Sequence, residues 1–256
     1  MDYNFTLSHL PTRTNKPRET GVTMVMDKGL SIRQAEDFID AAAGLVDYVK
    51  LGFGSSIVTN NLKQKIKLYR DNKIKVYLGG TLTEAFIIRN KFDDFERLIS
   101  DLKLDTAEVS DGAIELPHEK KLEYISRLAK NFTVFSEVGS KEEGIIIHPS
   151  KWIKLMLAEL EAGSTKVIAE ARESGNVGIF HRNGAAHVVL INKIITKVPA
   201  DKIIWETPQK SQQVYFINLF GANVNVGNIA PDDIIPLETL RLGLRADTFF
   251  TFLPDS

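Results

Sequence analysis

The chain repeats one pattern eight times: a short apolar stretch runs into polar residues and a turn, and a helical pattern usually follows. The eight stretches are Val22–Gly29, Tyr48–Gly54, Val76–Thr81, Ala107–Gly112, Val134–Lys141, Val167–Gly175, Ile203–Pro208 and Val224–Ile229. Strands that alternate with helices favour a parallel sheet with helical crossovers. Eight such units in 256 residues predict an α/β protein with the (β/α)8 TIM barrel fold.

An open doubly wound sheet is the main alternative, but no Gly-x-Gly-x-x-Gly turn follows the first strand. We therefore expect one barrel domain over residues 1–256. Residues 1–19 are polar, contain Pro11 and Pro17, and are predicted to form an extended N-terminal arm.

Composition excludes several classes of protein. The chain has no cysteine, so disulfides, thiol catalysis and thiolate metal sites are excluded. Its formal net charge of -1 gives no support for nucleic-acid binding or for an anionic membrane. No apolar run is long enough to cross a bilayer, and the N-terminal segment lacks the apolar core of a secretory signal. We expect a cytoplasmic protein.

Charged residues cluster where the predicted strands end. In a parallel barrel these ends meet at one mouth, which is where active sites lie. The mouth would hold Asp27, Lys28, Lys50, Glu108, Asp111, Glu137, Lys141, Glu170, Arg172 and Glu206. Salt bridges around the rim are the alternative reading for any one of them. Many carboxylates without histidine or cysteine predict an oxygen-ligand site for Mg²⁺, and the cations predict an anionic substrate.

Two loops complete the expected site. Gly227 and Asn228, after the eighth strand, would offer backbone N–H groups at the usual phosphate position of such barrels. The loop Gly175 to Asn183 is long and contains Gly and Asn, so we expect it to be mobile and to order over the mouth when ligand binds. The five histidines lie in surface segments or long loops and are not expected to act in catalysis.

At these strand ends the sequence resembles the phosphosulfolactate synthase family, which also contains plant heat-stress proteins. The resemblance covers most of the chain. It rests on Lys16-Pro-Arg18, Gly21–Gly29, Asp47–Gly54, Tyr77–Thr81 with Glu84, Glu108–Gly112, Ser136–Gly139 with Lys141, Glu170–Gly175, Trp205-Glu206 with Pro208, Lys210, Gln212 and Gln213, and Phe220-Gly221 with Val224–Ile229.

The resemblance implies a (β/α)8 barrel that adds sulfite to phosphoenolpyruvate with Mg²⁺ as cofactor. In methane-producing archaea this reaction begins coenzyme M synthesis. The chemistry requires charge stabilisation on a carboxylate and a proton donor.

With this reaction in view, Lys141 is the expected proton donor and Lys28 its alternative. Arg172 is expected to be catalytic as well as to bind substrate. The other expected substrate-binding residues are Lys50, Ser110, Gly227 and Asn228. The expected metal ligands are Glu108, Glu137 and Glu170, with Asp27 and Glu206 as alternates.

Two other functions stay open at this point. One is a different lyase acting on a phosphorylated enol or keto acid, and the other is a non-catalytic stress-protection protein on the same barrel. The expected partners are small anions, with no nucleic acid and no membrane. We also expect a homo-oligomer, with a trimer as one candidate state.

Overall fold

Eight parallel strands form one sheet in the computed structural model, which describes residues 3–139 and 148–254. The strands are β1 Thr23–Asp27, β2 Tyr48–Leu51, β3 Lys75–Leu78, β4 Thr106–Val109, β5 Thr133–Val138, β6 Lys166–Ala169, β7 Ile203–Glu206 and β8 Val226–Ile229. Their order, β3-β2-β1-β8-β7-β6-β5-β4, brings the sheet round into a nearly closed barrel. The predicted (β/α)8 TIM barrel is confirmed.

Helices connect the strands. Within the described residues they are α1 Ile32–Ala42, α2 Leu62–Asp71, α3 Gly80–Ile87, α4 Phe92–Asp101, α5 His118–Leu128, α6 Pro149–Glu161, α7 Val188–Ile195, α8 Lys210–Phe220 and α9 Ile234–Arg241. Ser31 caps α1 in a capping box with Gln34, as its side chain predicts. Two helices, α3 and α4, lie between β3 and β4, and α3 begins directly after its strand.

Two apolar clusters hold the barrel together. The larger one lies between the strands and the helices. The smaller one fills the barrel interior and consists of Val22, Met24, Tyr48, Tyr77, Phe135, Ile168 and Ile204. Because side chains alternate across a strand, the residues two positions beyond Tyr48, Phe135, Ile168 and Ile204 also face the interior. Those residues are Lys50, Glu137, Glu206 and, directly after β6, Glu170.

The N-terminal arm packs on the end of the barrel opposite the carboxyl strand ends. Arg13 donates to Glu238 at 2.8 Å, and Arg18 donates to Asp47 at 3.1 Å. Lys166, at the start of β6, donates to the Glu19 carbonyl at 2.7 Å. The arm therefore covers the amino ends of the strands and leaves the other end of the barrel open. No helix within residues 3–139 and 148–254 has the length and hydropathy needed to span a membrane.

Candidate active site

A buried lysine lies among three glutamates at the carboxyl end of the barrel. Lys50 Nζ is 3.0 Å from Glu108 Oε1 and 3.4 Å from both Glu137 Oε2 and Glu206 Oε1. All four side chains are buried. The apolar interior layer excludes water on the side of this group that faces the amino ends of the strands. In that layer Tyr48, Tyr77 and Phe135 pack edge to face. Charges in such a place interact strongly because little solvent screens them.

Three glutamates approach one another closely enough to hold a single cation. One carboxylate oxygen each from Glu137, Glu170 and Glu206 lies within 4.8 Å of the others. Glu137 and Glu206 lie on β5 and β7, and Glu170 directly follows β6. Of the five expected metal ligands, the structure brings these three together.

The pKa values reflect this crowding of carboxylates. Burial raises the pKa of Glu206 to about 7; Lys50 and the Ala171 N–H lower it, while Glu137 and Glu108 raise it. Burial also raises the pKa of Glu108, which Lys50 opposes. Burial alone would lower the pKa of Lys50, but Glu108, Glu137 and Glu206 hold it well above its usual value.

Glu108 has different contacts from Glu137, Glu170 and Glu206. Its Oε1 accepts from Lys50 and, at 2.5 Å, from the backbone N–H of Gly80 at the start of α3. The positive end of that helix favours the ionised carboxylate. Glu108 therefore holds Lys50 and α3 beside the cation group, and its expected role as a metal ligand stays a prediction.

Asp27, an alternate metal ligand in the sequence-based prediction, lies outside this group. Its carboxylate binds Lys65 Nζ and the Tyr69 hydroxyl on α2, both at 3.0 Å, and accepts from the N–H groups of Gly29 and Leu30 at 2.8 Å. These contacts fasten α2 and the loop before α1 to the end of β1. The structure thus gives Asp27 a structural role.

Ser110 is also engaged elsewhere. Its hydroxyl donates to the Glu84 carboxylate on α3, which accepts the Ala113 N–H at 3.0 Å as well. The Ser110 side chain is fully buried and does not line the cavity described below. It fixes the loop after β4 to α3, and its expected role in substrate binding stays a prediction.

The residues expected to bind phosphate lie within β8, not in the loop after it. A Cβ atom at Gly227 would come within 2.6 Å of Met24 and 3.0 Å of Ile204. Packing against these two side chains therefore requires glycine at this position. Asn228 is buried and lines the cavity, and its Oδ1 has no hydrogen-bond partner among the described residues. Asn228 thus presents its side chain to the site.

Of the expected catalytic residues, two lie at the rim. Arg172 follows β6, lines the cavity and donates its backbone N–H to Glu170 Oε1 at 2.6 Å. Lys28 is exposed and lies 3.6 Å from Glu173. Lys141 lies outside the described residues, so its role stays a prediction. The loop after β6 is fastened by Gln212, which donates to the Gly175 carbonyl at 2.7 Å, and its expected closure stays a prediction too.

A cavity of about 490 Å³ opens over the glutamates. It is lined by Met26, Lys50, Phe53, Gly79, Thr81, Ala113, Glu137, Glu170, Arg172, Glu173, Ser174, Glu206 and Asn228. Met26 and Phe53 were not predicted from the sequence. Their signal was weak, since both are apolar residues at strand ends, although Phe53 lies between two glycines directly after β2.

Comparison with known proteins gives a consistent match. The family model for (2R)-phospho-3-sulfolactate synthase (ComA) matches residues 11–247. The phosphosulfolactate synthase of Bacillus subtilis is 39% identical over 244 residues, covering 94% of this chain and 97% of that protein. The phosphosulfolactate synthase of Methanothermobacter thermautotrophicus is 40% identical, covering 93% and 95%.

Among solved structures, 3-hexulose-6-phosphate synthase from Salmonella typhimurium superposes with a TM-score of 0.58. It is 15% identical and covers 88% of this chain and 100% of its own. This likeness concerns the barrel fold alone.

Proposed function

Because this chain belongs to the phosphosulfolactate synthase family, whose members are lyases that form a carbon–sulfur bond, we propose that it adds sulfite to phosphoenolpyruvate with Mg²⁺ bound. The product would be phosphosulfolactate. The observation that supports this proposal most directly is the buried group of Glu137, Glu170 and Glu206 at the mouth of the barrel, two of which lie 3.4 Å from Lys50.

The residues of this group suit a divalent cation. Glu137, Glu170 and Glu206 offer only carboxylate oxygens, which are the ligands that Mg²⁺ prefers. Glu108, Glu137 and Glu206 lie within 3.4 Å of the Lys50 ammonium, and burial, together with the neighbouring glutamates, raises the pKa of Glu206 to about 7. A divalent cation would favour the ionised form of these carboxylates. Tetrahedral zinc sites, by contrast, usually use cysteine or histidine.

In the proposed reaction, the lone pair on the sulfur of sulfite forms a bond to the methylene carbon of phosphoenolpyruvate. The electrons of the carbon–carbon double bond move toward the neighbouring carbon and its carboxylate. That carbon then takes a proton from a lysine, and the phosphate ester stays in place. A divalent cation held by the three glutamates would stabilise the charge that develops on the substrate carboxylate.

The chain's own residues would bind and orient two anions that repel each other. Lys50 supplies a fixed positive charge on the floor of the cavity, and its raised pKa makes it an electrostatic group and a poor proton donor. Arg172 lies at the rim, where a guanidinium suits phosphate or carboxylate. Asn228 offers an amide that is still able to bind a ligand.

The proposal is tested by following the loss of phosphoenolpyruvate with sulfite and Mg²⁺ together and with each omitted. We expect consumption only when both are present. Glu170→Gln should reduce the rate by about 100-fold or more, as loss of a group that stabilises transition-state charge does. Glu238→Gln, a change to a buried glutamate at the other end of the barrel, is the control. A full rate after exhaustive chelation would contradict a metal requirement.

The proton donor is tested separately. We propose Lys141 for this role, with Lys28 as the alternative. Loss of a positioned general acid typically lowers turnover by about 100- to 10,000-fold. Lys141→Met should therefore lower kcat more than it raises KM, while Lys28→Met should change mainly the affinity for substrate. A Lys141→Met enzyme with a kcat within about threefold of wild type would exclude Lys141.

A further inference from the structure

Phe53 occupies a backbone conformation that aromatic residues rarely adopt. The Ser55 N–H donates to the Gly52 carbonyl at 2.9 Å and closes a four-residue turn. Both central residues have positive φ, 55° at Phe53 and 66° at Gly54, which is the pattern of a type I′ turn. Asn-Gly is the preferred central pair of such a turn, and this chain has Phe-Gly.

Burial of the Phe53 ring offsets only part of the cost of this conformation. The side chain is 50% exposed, and a bulky residue with positive φ is disfavoured by contact between its Cβ and the backbone. Asn at the same position would suit the turn better. Strained backbone conformations of this kind cluster at active sites and ligand clamps.

The position of the ring indicates what it does. Phe53 comes three residues after Lys50 and lines the same cavity as the glutamate group. The turn is fixed at its base, since the Gly52 N–H donates to the Asp27 carbonyl at 3.2 Å. Arg172 and Asn228, which line the cavity from β6 and β8, also have positive φ, 57° and 56°.

We propose that Phe53 is a substrate-covering residue: its ring closes the cavity over the bound anions and keeps water from the reacting carbon. This inference rests on the proposed function and goes beyond it by assigning an apolar group to the site. Electrostatic stabilisation by Lys50 and the carboxylate-bound cation weakens when water enters. The left-handed turn thus lies where the Phe53 side chain lines the cavity.

The test uses a change that separates stability from activity. Phe53→Asn installs the preferred Asn-Gly turn, so the ligand-free protein should melt at the same temperature as wild type or higher. Its kcat/KM for phosphoenolpyruvate and sulfite should fall by about tenfold or more, mostly in kcat, because water now reaches the site. Phe53→Leu keeps an apolar cover and should retain more of the rate.

Lys73→Asn is the matched control. Lys73 has φ 59°, is exposed, and lies after α2 at the opposite end of the barrel. Asn there should also preserve or raise the melting temperature, with no change in kcat/KM.

Each outcome decides the question. A lower melting temperature for Phe53→Asn would mean that the ring serves packing of the fold, and would overturn the inference. An unchanged kcat/KM would overturn it as well, while the proposed function would stand. A wild-type protein that does not consume phosphoenolpyruvate with sulfite would overturn the proposed function and this inference with it.

Discussion

Glu206 is a residue of this site whose buried carboxylate lowers the stability of the fold when it is ionised. Its carboxylate is buried, lies 3.4 Å from Lys50 and accepts the Ala171 N–H at 2.9 Å. Burial, with Glu137 and Glu108 nearby, nevertheless raises its pKa to about 7. In the ligand-free protein the ionised form is therefore disfavoured, and the fold loses stability whenever Glu206 must be charged.

Glu206→Gln should stabilise the ligand-free protein at pH 8 while weakening binding of a divalent cation. The amide keeps the shape of the side chain and removes a poorly compensated buried charge, for a gain of about 1 to 3 kcal/mol. Thermal or denaturant unfolding without metal measures the gain, and calorimetric titration with Mg²⁺ measures the loss. A variant less stable than wild type at pH 8 would contradict this account.

The same substitution has a predicted pH dependence. A carboxyl with a raised pKa in the folded state keeps its proton there longer than in the unfolded chain, whose value is about 4.3. Its contribution to stability is therefore present at low pH and is lost as pH rises toward about 7. The stability advantage of Glu206→Gln should be small near pH 5 and full at pH 8. An advantage independent of pH would contradict the assignment.

Sequence reasoning located Lys50, Glu137, Glu170 and Glu206 because strand periodicity is local. A charged residue at the end of an apolar strand must either face the mouth of the barrel or form an ion pair, and several of the residues in this chain face the mouth. Asp27 and Ser110 could not be separated from them in the same way. Their partners, Lys65 and Glu84, lie on helices whose packing is decided by the whole barrel.

At the scale of elements, Lys121 on α5 connects four parts of the chain behind the site. Its buried Nζ lies 2.8 Å from Asp111 after β4, 2.6 Å from the carbonyl of Glu137 on β5 and 2.8 Å from Glu159 on α6. The ammonium therefore fixes the end of the strand that carries Glu137. The sequence did not indicate which carbonyl the ammonium of Lys121 would bind.

Lys121→Met should lower both stability and affinity for a divalent cation. Removing one partner of a buried ion pair costs about 3 to 5 kcal/mol, and the end of β5 loses the group that positions it. Lys65→Met is the matched control, because it breaks a buried pair with Asp27 outside the cation group. It should lose comparable stability with unchanged cation affinity. Equal losses of affinity in both variants would contradict a positioning role for Lys121.

Element boundaries that depend on packing were harder to predict. Gly227 and Asn228 look like a turn because Gly and Asn favour turns, yet both belong to β8. Met24 and Ile204 fill the space beside Gly227, so the glycine records a close approach across the barrel. Nothing local to residues 224–229 distinguishes that cause from a turn.

Across the whole molecule, the two ends of the barrel have different tasks. The carboxyl ends of the strands hold charges and a strained turn that cost stability. At the other end, fully buried Arg241 donates to the carbonyls of Ala222 and Val224 at 2.6 and 2.8 Å. Arg13 and Arg18 of the N-terminal arm add buried ion pairs beside it. The expected division of a barrel into a functional and a stabilising face thus predicts opposite effects of mutation.

Arg13→Met tests this division. The change leaves Glu238 buried without the partner it has at 2.8 Å and removes a hydrogen bond to Asn223, so stability should fall by about 3 to 5 kcal/mol. The glutamate group lies at the far end of the barrel, so kcat/KM at a temperature where the variant is folded should stay within about twofold of wild type. The measurement is to compare the unfolding and the kinetics of Arg13→Met with those of Phe53→Asn. Arg13→Met should lose stability and keep its rate, whereas Phe53→Asn should keep its stability and lose its rate. A parallel loss of both quantities in Arg13→Met would show that the two ends are coupled through the strands.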